Sequence, residues 1–467
     1  MSIPFIHLYI NGGECPASSQ ATFDVLNPFS GTLVTRVASA SRTDCKRAVD
    51  AAADAFRTWE HSPLGSRRDY LLKAADLLTT PRYQEKAASA LKEETSAGDF
   101  LVGFNLHVAT EWLRWIATLV SELKGETFPS SVPGGQVVAL RRAQGVILAI
   151  APWNAPLFLT VRAICYPIIC GNTVVLKTSE ISPRCQYLIA ELFAEAGLPK
   201  GVLNVIHTSK EDTPARTAEI IADPAIKKIN FTGSDRVGKI LAAEAAKYLK
   251  PCVFELEEKA PVIVSLQVLI LNAPRNAHST PKVLDDADVE RAAKAITFSA
   301  AGTSLTKALL GAQFSESSAE NIVSMLREAR AEGARFLLGD GKRDGAVVQP
   351  HIVAGVKPGM KLWERESFGP VVTLTEVDTI DEAVELANAT EYSLGAGLWT
   401  TNIHHAMDVS MRIRAGCVTV NGPTAHLEDA KDHTGLGGAS GYGRFSVHEF
   451  TDVRMVVLNG TNSPSYP

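Results

Sequence analysis

The chain has 467 residues, too many for one compact core, because single domains usually contain about 100 to 200 residues. Its apolar fraction of 46% and charged fraction of 21% exclude a chain that is disordered over most of its length. The 46 Lys and Arg residues against 51 Asp and Glu residues give a net charge of −5, so no global basic field points to nucleic acid or to an anionic membrane surface. Small-molecule chemistry is the better expectation.

No segment predicts a membrane partner. The longest apolar runs, Gly145 to Trp153 and Ala163 to Gly171, fall well short of the roughly 18 residues that a membrane span needs. The first ten residues lack the basic segment of a signal peptide, so a cytoplasmic location is predicted. The seven cysteines are scattered and show no CxxC spacing, which favours reduced thiols over disulfides or a metal site.

The first 140 residues predict helices followed by a hairpin. Apolar residues at helical spacing predict helices between Thr43 and Leu78 and from about Phe104 to Leu123. From Glu126 to Leu140, prolines and a Gly-Gly pair precede an apolar run, which predicts a β-hairpin.

The middle of the chain predicts a parallel sheet covered by helices. Short apolar strands are expected at 145–150, 173–177, 201–206 and 228–231. A helix that begins at Ser182-Pro183 and ends at Gly197 separates two of them. Alternating helices and continuously apolar strands are typical of parallel sheets with both faces buried.

The same alternation resumes after Leu284 and predicts a second α/β domain. Helices are expected at 289–298, 317–332 and 381–389, and a strand at 335–338.

Three segments at strand ends carry candidate chemistry. Phe231 to Gly238 follows a strand and opens a helix, where backbone N–H groups bind anions, although a plain strand-to-helix turn fits equally well. Asn154 follows a strand, where its amide can donate to a developing oxyanion or simply cap a turn. Lys177 and Glu180 end another strand and fit a clamp on ribose hydroxyls or an ordinary ion pair.

Together these segments resemble the aldehyde dehydrogenase superfamily over nearly the whole chain. The motifs that carry the resemblance are Pro152-Trp-Asn154, Gly171-Asn-Thr-Val-Val-Leu-Lys-Thr-Ser-Glu180, Gly197-Leu-Pro-Lys-Gly-Val-Leu-Asn-Val205, Phe231-Thr-Gly-Ser234, Phe254-Glu-Leu256, Glu366-Ser-Phe-Gly-Pro370 and Gly437-Gly-Ala-Ser-Gly441. Ala151 to Pro156 and Phe314-Ser-Glu316 look most like the branch that acts on salicylaldehyde, vanillin and benzaldehyde.

The resemblance implies a fold and a domain plan. We expect an α/β protein with a Rossmann-like parallel-sheet cofactor domain, a second, truncated α/β catalytic domain and a small β oligomerisation segment. The expected bounds are 1–124 and 144–256 for NAD(P) binding, 257–445 for catalysis, and 125–143 and 446–461 for oligomerisation. A homodimer or homotetramer follows by resemblance.

The resemblance also assigns residues to roles. Glu255 matches the general base that activates water, and Asn154 matches the oxyanion donor. The matched cofactor contacts are Trp153, Lys177, Glu180, Gly233, Ser234, Asp235, Arg236, Val237, Gly238, Glu366 and Phe368. A Glu180 carboxylate that accepts from ribose hydroxyls disfavours a 2′-phosphate, so NAD is expected, with NADP possible. No metal is expected.

The pattern lacks the family's nucleophile. The family's mechanism needs a cysteine thiolate that attacks the aldehyde before a hydride passes to nicotinamide. Here the 19 residues 264–282 are inserted, and the Gly-Gln-x-Cys segment expected near 301–310 is deleted. Cys165, Cys170 and Cys252 are predicted to be core residues and not substitutes.

Glu257 and Glu258 are a further departure, since they stand where the family has Gly-Gly. Two carboxylates there would crowd the nicotinamide and tend to raise the pKa of Glu255.

Three hypotheses follow from these departures. The chain is an aldehyde dehydrogenase for an aromatic aldehyde, a pseudoenzyme that binds nucleotide or pairs with an active homologue, or a product that cannot fold because the lost strand opens the second sheet. The codons permitted for Val264-Ser265 and Lys282 match the two ends of an intron, so residues 264–282 are interpretable as a retained intron. The lost segment is then interpretable as a skipped exon or as genuine decay.

Overall fold

The computed structural model describes residues 3–264, 311–422, 424 and 435–459, and the backbone of residues 268–273. The helix predicted at 289–298 and the deletion predicted near 301–310 lie outside these residues.

Within the described residues, strands and helices alternate along the chain. The strands are β1 Phe5–Ile6, β2 Leu8–Ile10, β3 Gly13–Cys15, β4 Thr22–Leu26, β5 Leu33–Ala38, β6 Glu126–Pro129, β7 Gln136–Ala143, β8 Val146–Ile150, β9 Thr173–Lys177, β10 Leu203–Ile206, β11 Ile226–Thr232, β12 Cys252–Glu255, β13 Ala260–Val264, β14 Val268–Ala273, β15 Arg335–Leu338, β16 Arg343–Asp344, β17 Val347–Val348, β18 His351–Ala354, β19 Val371–Val377, β20 Gly395–Trp399, β21 Cys417–Val420, β22 Gly441–Tyr442 and β23 Thr451–Leu458. The helices are α1 Arg42–Trp59, α2 Leu64–Leu78, α3 Pro81–Thr95, α4 Asp99–Thr118, α5 Pro156–Ile169, α6 Pro183–Ala196, α7 Thr213–Ala222, α8 Asp235–Ala246, α9 Glu316–Ala331, α10 Lys361–Glu364, α11 Ile380–Asn388 and α12 Ile403–Arg412. Short 3₁₀ turns lie at Leu119–Glu122 and Gly438–Ser440.

The first large sheet has the strand order β22-β12-β11-β8-β9-β10-β2-β3. Its five central strands, β12 to β10 in that order, run parallel, as the sequence predicts. Alternate residues of β8 enter two different cores: Ile147 and Ala149 pack on the side of α2, α4, α5 and α6, and Val146, Leu148 and Ile150 on the side of α1, α7 and α8. These strands are rich in apolar residues and almost entirely buried, because helices cover both faces of the sheet.

Parallel pairing brings the carboxyl ends of these strands to one edge of the sheet. Ile150 at the end of β8 is level with Lys177 at the end of β9 and with Phe231 of β11. Thr232 of β11 is in turn level with Glu255 of β12. The loops that follow these strands are where such sheets collect ligands.

The second large sheet corrects one expectation from the sequence, that a lost strand would open it. Its order is β15-β18-β19-β14-β13-β20-β21, so β14 lies between β13 and β19 and pairs antiparallel with both. Within the predicted insertion of residues 264–282, Val264 ends β13 and residues 268–273 form a central strand. The sheet is continuous across this point and not opened by a lost strand. An antiparallel neighbour needs only a short connection, here residues 265–267, whereas a parallel strand needs a long crossover.

A third sheet, ordered β23-β7-β6, contains the predicted hairpin. β23 pairs with β7 over its whole length, from Thr451 opposite Ala143 to Leu458 opposite Gln136. The fold is thus α/β, with a Rossmann-like parallel sheet, a second α/β sheet and a small β segment, as predicted.

The position of β14 predicts a large effect of proline. We expect Ile270→Pro to lower the free energy of unfolding by about 3 kcal/mol or more, because every N–H of a strand paired on both sides donates within the sheet. Leu337→Pro, at an irregular register on the outer strand β15, is the matched control and should change stability little. Urea unfolding followed by circular dichroism measures both. Equal stability of the two variants would show that β14 is not a central strand.

Candidate active site

The turn between β8 and α5 holds Trp153 and Asn154 at the carboxyl edge of the first sheet. The Trp153 ring centroid lies 4.7 Å from that of Phe314 and 5.5 Å from that of Phe368. Asn154 Oδ1 is buried and has no hydrogen-bond partner among the described residues. An aromatic cluster and a polar amide thus lie side by side, an arrangement suited to orienting a ring that carries a polar group.

Phe368 adopts a left-handed backbone conformation with φ +52°. For a residue that is not glycine this conformation costs on the order of 1 kcal/mol or more, and such strain concentrates at functional sites. Glu366, two residues earlier, accepts a hydrogen bond from the backbone N–H of Glu258 at 3.2 Å. These contacts link the loop before β19 to the segment that follows β12.

Glu255, the predicted general base, is fully buried at the end of β12. Its carboxylate forms an ion pair with Arg162 of α5, and Arg162 also donates to Thr232 Oγ1 at 3.1 Å. The guanidinium lies over two aromatic rings, 4.0 Å from the Phe445 centroid and 5.4 Å from the Trp112 centroid. The pair neutralises the buried carboxylate and holds it in place.

Sequence reasoning missed Arg162. The signal was present, because Arg162 is the single charged residue in the otherwise apolar sequence of α5. A buried charge needs a partner of opposite sign.

Lys177 and Glu180 lie together at the end of β9. Lys177 is almost completely buried, and its Nζ is 4.0 Å from Glu180 Oε2. Burial lowers the pKa of Lys177, and the charge of Glu180 acts in the opposite direction. The Glu180 side chain is one-third exposed, so its carboxylate is accessible to a ligand at this edge.

The turn from Gly233 to Gly238 begins α8. Ser234 is the N-cap, and its Oγ accepts from Val237 N at 3.4 Å. At Gly238 a methyl group would lie 2.6 Å from the Leu256 side chain, so glycine permits close packing of the helix on the segment after β12. Arg236 is exposed, and Val237 packs partly buried against the core.

Asp235, the first residue of α8, is buried beneath two cations. Its Oδ2 accepts from Lys239 Nζ at 2.9 Å and from Arg365 at 3.1 Å. Burial acts to raise the pKa of Asp235, but these two hydrogen bonds outweigh it and hold the pKa below its usual range. The two cations are therefore committed to a carboxylate of the chain.

The Glu257 carboxylate contacts two different segments at this site. Glu257 Oε1 accepts from Asp235 N at 3.3 Å, and Oε2 accepts from the Tyr392 hydroxyl at 3.0 Å. Lys177 and Glu180 fit a dinucleotide, because the Glu180 carboxylate is accessible, but at the start of α8 a carboxylate of the chain already contacts the backbone N–H. The sequence predicts crowding by these residues but not this contact.

The chain's seven cysteines all lie among the described residues. Five are buried, namely Cys45, Cys165, Cys170, Cys185 and Cys252, and the core positions predicted for Cys165, Cys170 and Cys252 are confirmed. Burial raises the pKa of the Cys252 thiol to about 11 and those of Cys45 and Cys170 to about 12, the opposite of what a thiolate nucleophile needs. The remaining two lie on β3 and β21, the outermost strands of their sheets.

Comparison with known proteins gives the family. The model described as "Aldehyde dehydrogenase family" matches residues 16–278 and 289–456. The chain is 38% identical to vanillin dehydrogenase of Pseudomonas sp. (strain HR199 / DSM 7063), covering 97% of this chain and 98% of that protein. The crystal structure of a salicylaldehyde dehydrogenase from Pseudomonas putida G7 complexed with salicylaldehyde matches with a TM-score of 0.89 and 32% identity, covering 99% of this chain and 100% of that one. The chain belongs to the aldehyde dehydrogenase family.

Two further findings concern the cofactor and the membrane. The solved structures that resemble the chain include an NAD-dependent aldehyde dehydrogenase from Sinorhizobium meliloti and an NADP-dependent glyceraldehyde-3-phosphate dehydrogenase from Bacillus halodurans C-125, which supports a nicotinamide cofactor. In the part of the chain that the structure describes, no helix is long and apolar enough to cross a membrane.

The buried ion pair generates a stability prediction. We expect Arg162→Met to lower the free energy of unfolding by about 3 to 5 kcal/mol, because it leaves the Glu255 carboxylate buried without its cation. The double variant Arg162→Met/Glu255→Gln is the control and should recover most of that loss. Urea titration measures all three proteins, and a loss below about 1 kcal/mol in the single variant would contradict the pairing.

Proposed function

We propose that this chain binds NAD, in preference to NADP, and oxidises an aromatic aldehyde to the carboxylic acid. The observation that carries the proposal is the aromatic cluster of Trp153, Phe314 and Phe368 beside Asn154 at the carboxyl edge of the sheet. Flat rings favour a flat aromatic substrate, and the amide supplies a donor for its carbonyl oxygen. The names of the relatives, vanillin and salicylaldehyde dehydrogenase, support the same substrate class.

The proposal assigns roles to residues of this chain. Asn154 donates to the aldehyde oxygen, and Glu255 accepts a proton from water once its carboxylate leaves Arg162. Glu180 accepts from the ribose hydroxyls, which disfavours a 2′-phosphate and gives the preference for NAD. Trp153, Lys177, residues 233–238, Glu366 and Phe368 complete the cofactor contacts.

The domain plan belongs to the same proposal. Residues 1–124 and 144–256 bind the cofactor, 257–445 form the catalytic domain, and 125–143 with 446–461 mediate oligomerisation. The cytoplasmic location is likewise part of this proposal.

The covalent step sets the expected rate. The buried thiols do not provide a thiolate beside Asn154, and loss of a covalent nucleophile lowers turnover on the order of a million-fold. We therefore propose an enzyme whose binding residues are retained and whose oxidation is slow.

The assay that tests this proposal follows NADH absorbance with salicylaldehyde, vanillin and benzaldehyde at high protein concentration. We expect the aldehyde to cause a slow reduction of the cofactor that is faster with NAD than with NADP. The Glu255→Gln substitution should lower this rate. The conservative variant keeps the side chain's size and removes the base. Rates indistinguishable from those of the Glu255→Gln protein would reject the activity, and faster reduction of NADP would reject the cofactor preference alone.

A second candidate function is a pseudoenzyme that binds nucleotide or assembles with another copy of the family. The buried thiols favour it, and so does the exposed apolar surface of β23. Val453, Met455 and Val457 on this strand are each more than half exposed. Exposed apolar patches of this kind mark interaction surfaces.

The exposed strand predicts an oligomer under either function. We expect a homodimer or homotetramer by sedimentation velocity, and a shift toward monomer for Met455→Asp/Val457→Asp, because each buried carboxylate at an interface is unfavourable. Met411→Asp, at a highly exposed methionine of α12, is the control and should leave the mass unchanged. A monomeric wild-type protein at micromolar concentration would contradict the proposal.

A further inference from the structure

Glu257 places a carboxylate at the first turn of α8. Its Oε1 accepts from the backbone N–H of Asp235 at 3.3 Å, and its Oε2 accepts from the Tyr392 hydroxyl at 3.0 Å. The backbone fixes this position, because Glu257 N donates to Ala439 O and the Ser440 hydroxyl donates to Glu257 O. Both carboxylate oxygens thus have defined partners on two different parts of the fold.

The start of α8 is the place where an external anion would bind. The first N–H groups of a helix have no partner within the helix, and the helix dipole favours negative charge there. Ser234 Oγ already accepts from Val237 N, and Glu257 accepts from Asp235 N. An incoming diphosphate must displace this carboxylate before it reaches the same N–H group.

The surrounding charges do not offset the crowding. Lys239 and Arg365 both pair with Asp235, so these two cations are committed to a carboxylate of the chain. Burial and then the charge of Asp235 raise the pKa of Glu257, which reflects how poorly this pocket tolerates additional negative charge. A ligand with two phosphate charges would meet the same penalty.

We infer that Glu257 acts as an internal anion that competes with the diphosphate of a dinucleotide for the start of α8, and so sets the affinity of this chain for nicotinamide dinucleotides. The inference rests on the proposed function, because it takes a nicotinamide dinucleotide as the ligand of this edge. It predicts that removing one carboxylate strengthens binding, whereas truncating a side chain that contacts the ligand would weaken it.

Isothermal titration with NAD and with adenosine tests the inference on the full-length chain. We expect Glu257→Gly to bind NAD about ten-fold more tightly than wild type, and Glu257→Gln to gain a smaller factor, because it removes the charge and keeps the bulk. Adenosine, which lacks the diphosphate, should bind all variants equally. Glu85→Gln, at an exposed residue of α3, controls for net charge and should leave both affinities unchanged.

The possible failures are distinguishable. Unchanged NAD affinity in both Glu257 variants, with adenosine bound normally, overturns the inference and leaves the proposed function standing. Absence of binding of both NAD and adenosine to every variant overturns both. Thermal melts of each variant establish that it is folded, and the glutamine variant preserves the test if the glycine variant is not.

Discussion

Parallel pairing of β8 with β9 and β11 is the constraint on which the candidate site depends. Because these strands run in one direction and in register, Ile150, Lys177 and Phe231 end level with one another. Asn154, Glu180 and Ser234 follow within a few residues and emerge at the same edge. Backbone hydrogen bonds between the strands therefore bring residues that are far apart in the sequence to the same edge.

The charges at this edge are balanced within the chain. Glu255 is neutralised by Arg162, and Asp235 by Lys239 and Arg365. Glu257 is satisfied by a helix N–H group and a tyrosine hydroxyl. Such internal pairing stabilises the site without a ligand, but each pair also opposes a ligand or a proton transfer that requires the same group. A ligand or a transferred proton that needs one of these groups must therefore break an internal pair first.

Much of the architecture follows from residue patterns. Continuous apolar strands such as β8 and β9 signal a parallel sheet buried on both faces, and Gly197 ends α6 with a positive φ, as predicted. Helix α3 was not predicted, because the buried face of this helix has only two large side chains, Tyr83 and Leu91, and otherwise consists of small or polar residues whose burial only the tertiary packing reveals.

The candidate site was predictable in its positions but not in its contacts. Motifs place Asn154, Lys177 and Glu255 at strand ends, since strand direction follows from alternation with helices. They do not show that Arg162 contacts Glu255, because these two residues lie on segments nearly 100 residues apart. Nor do they show that Glu257 contacts the start of α8, because that contact depends on the conformation of a loop.

Strand β14 illustrates that folding and catalysis place different requirements on the sequence. A sheet needs a neighbour of any sequence that can donate and accept backbone hydrogen bonds, and residues 268–273 meet that need between β13 and β19. A covalent mechanism needs one thiolate at one position, which no other strand can replace. The described residues thus form a continuous sheet, while the buried thiols of Cys45, Cys170 and Cys252 have raised pKa values and do not supply such a thiolate. Sheet continuity depends on backbone pairing, which tolerates substitution of a whole segment, and chemistry depends on a single side chain, which does not.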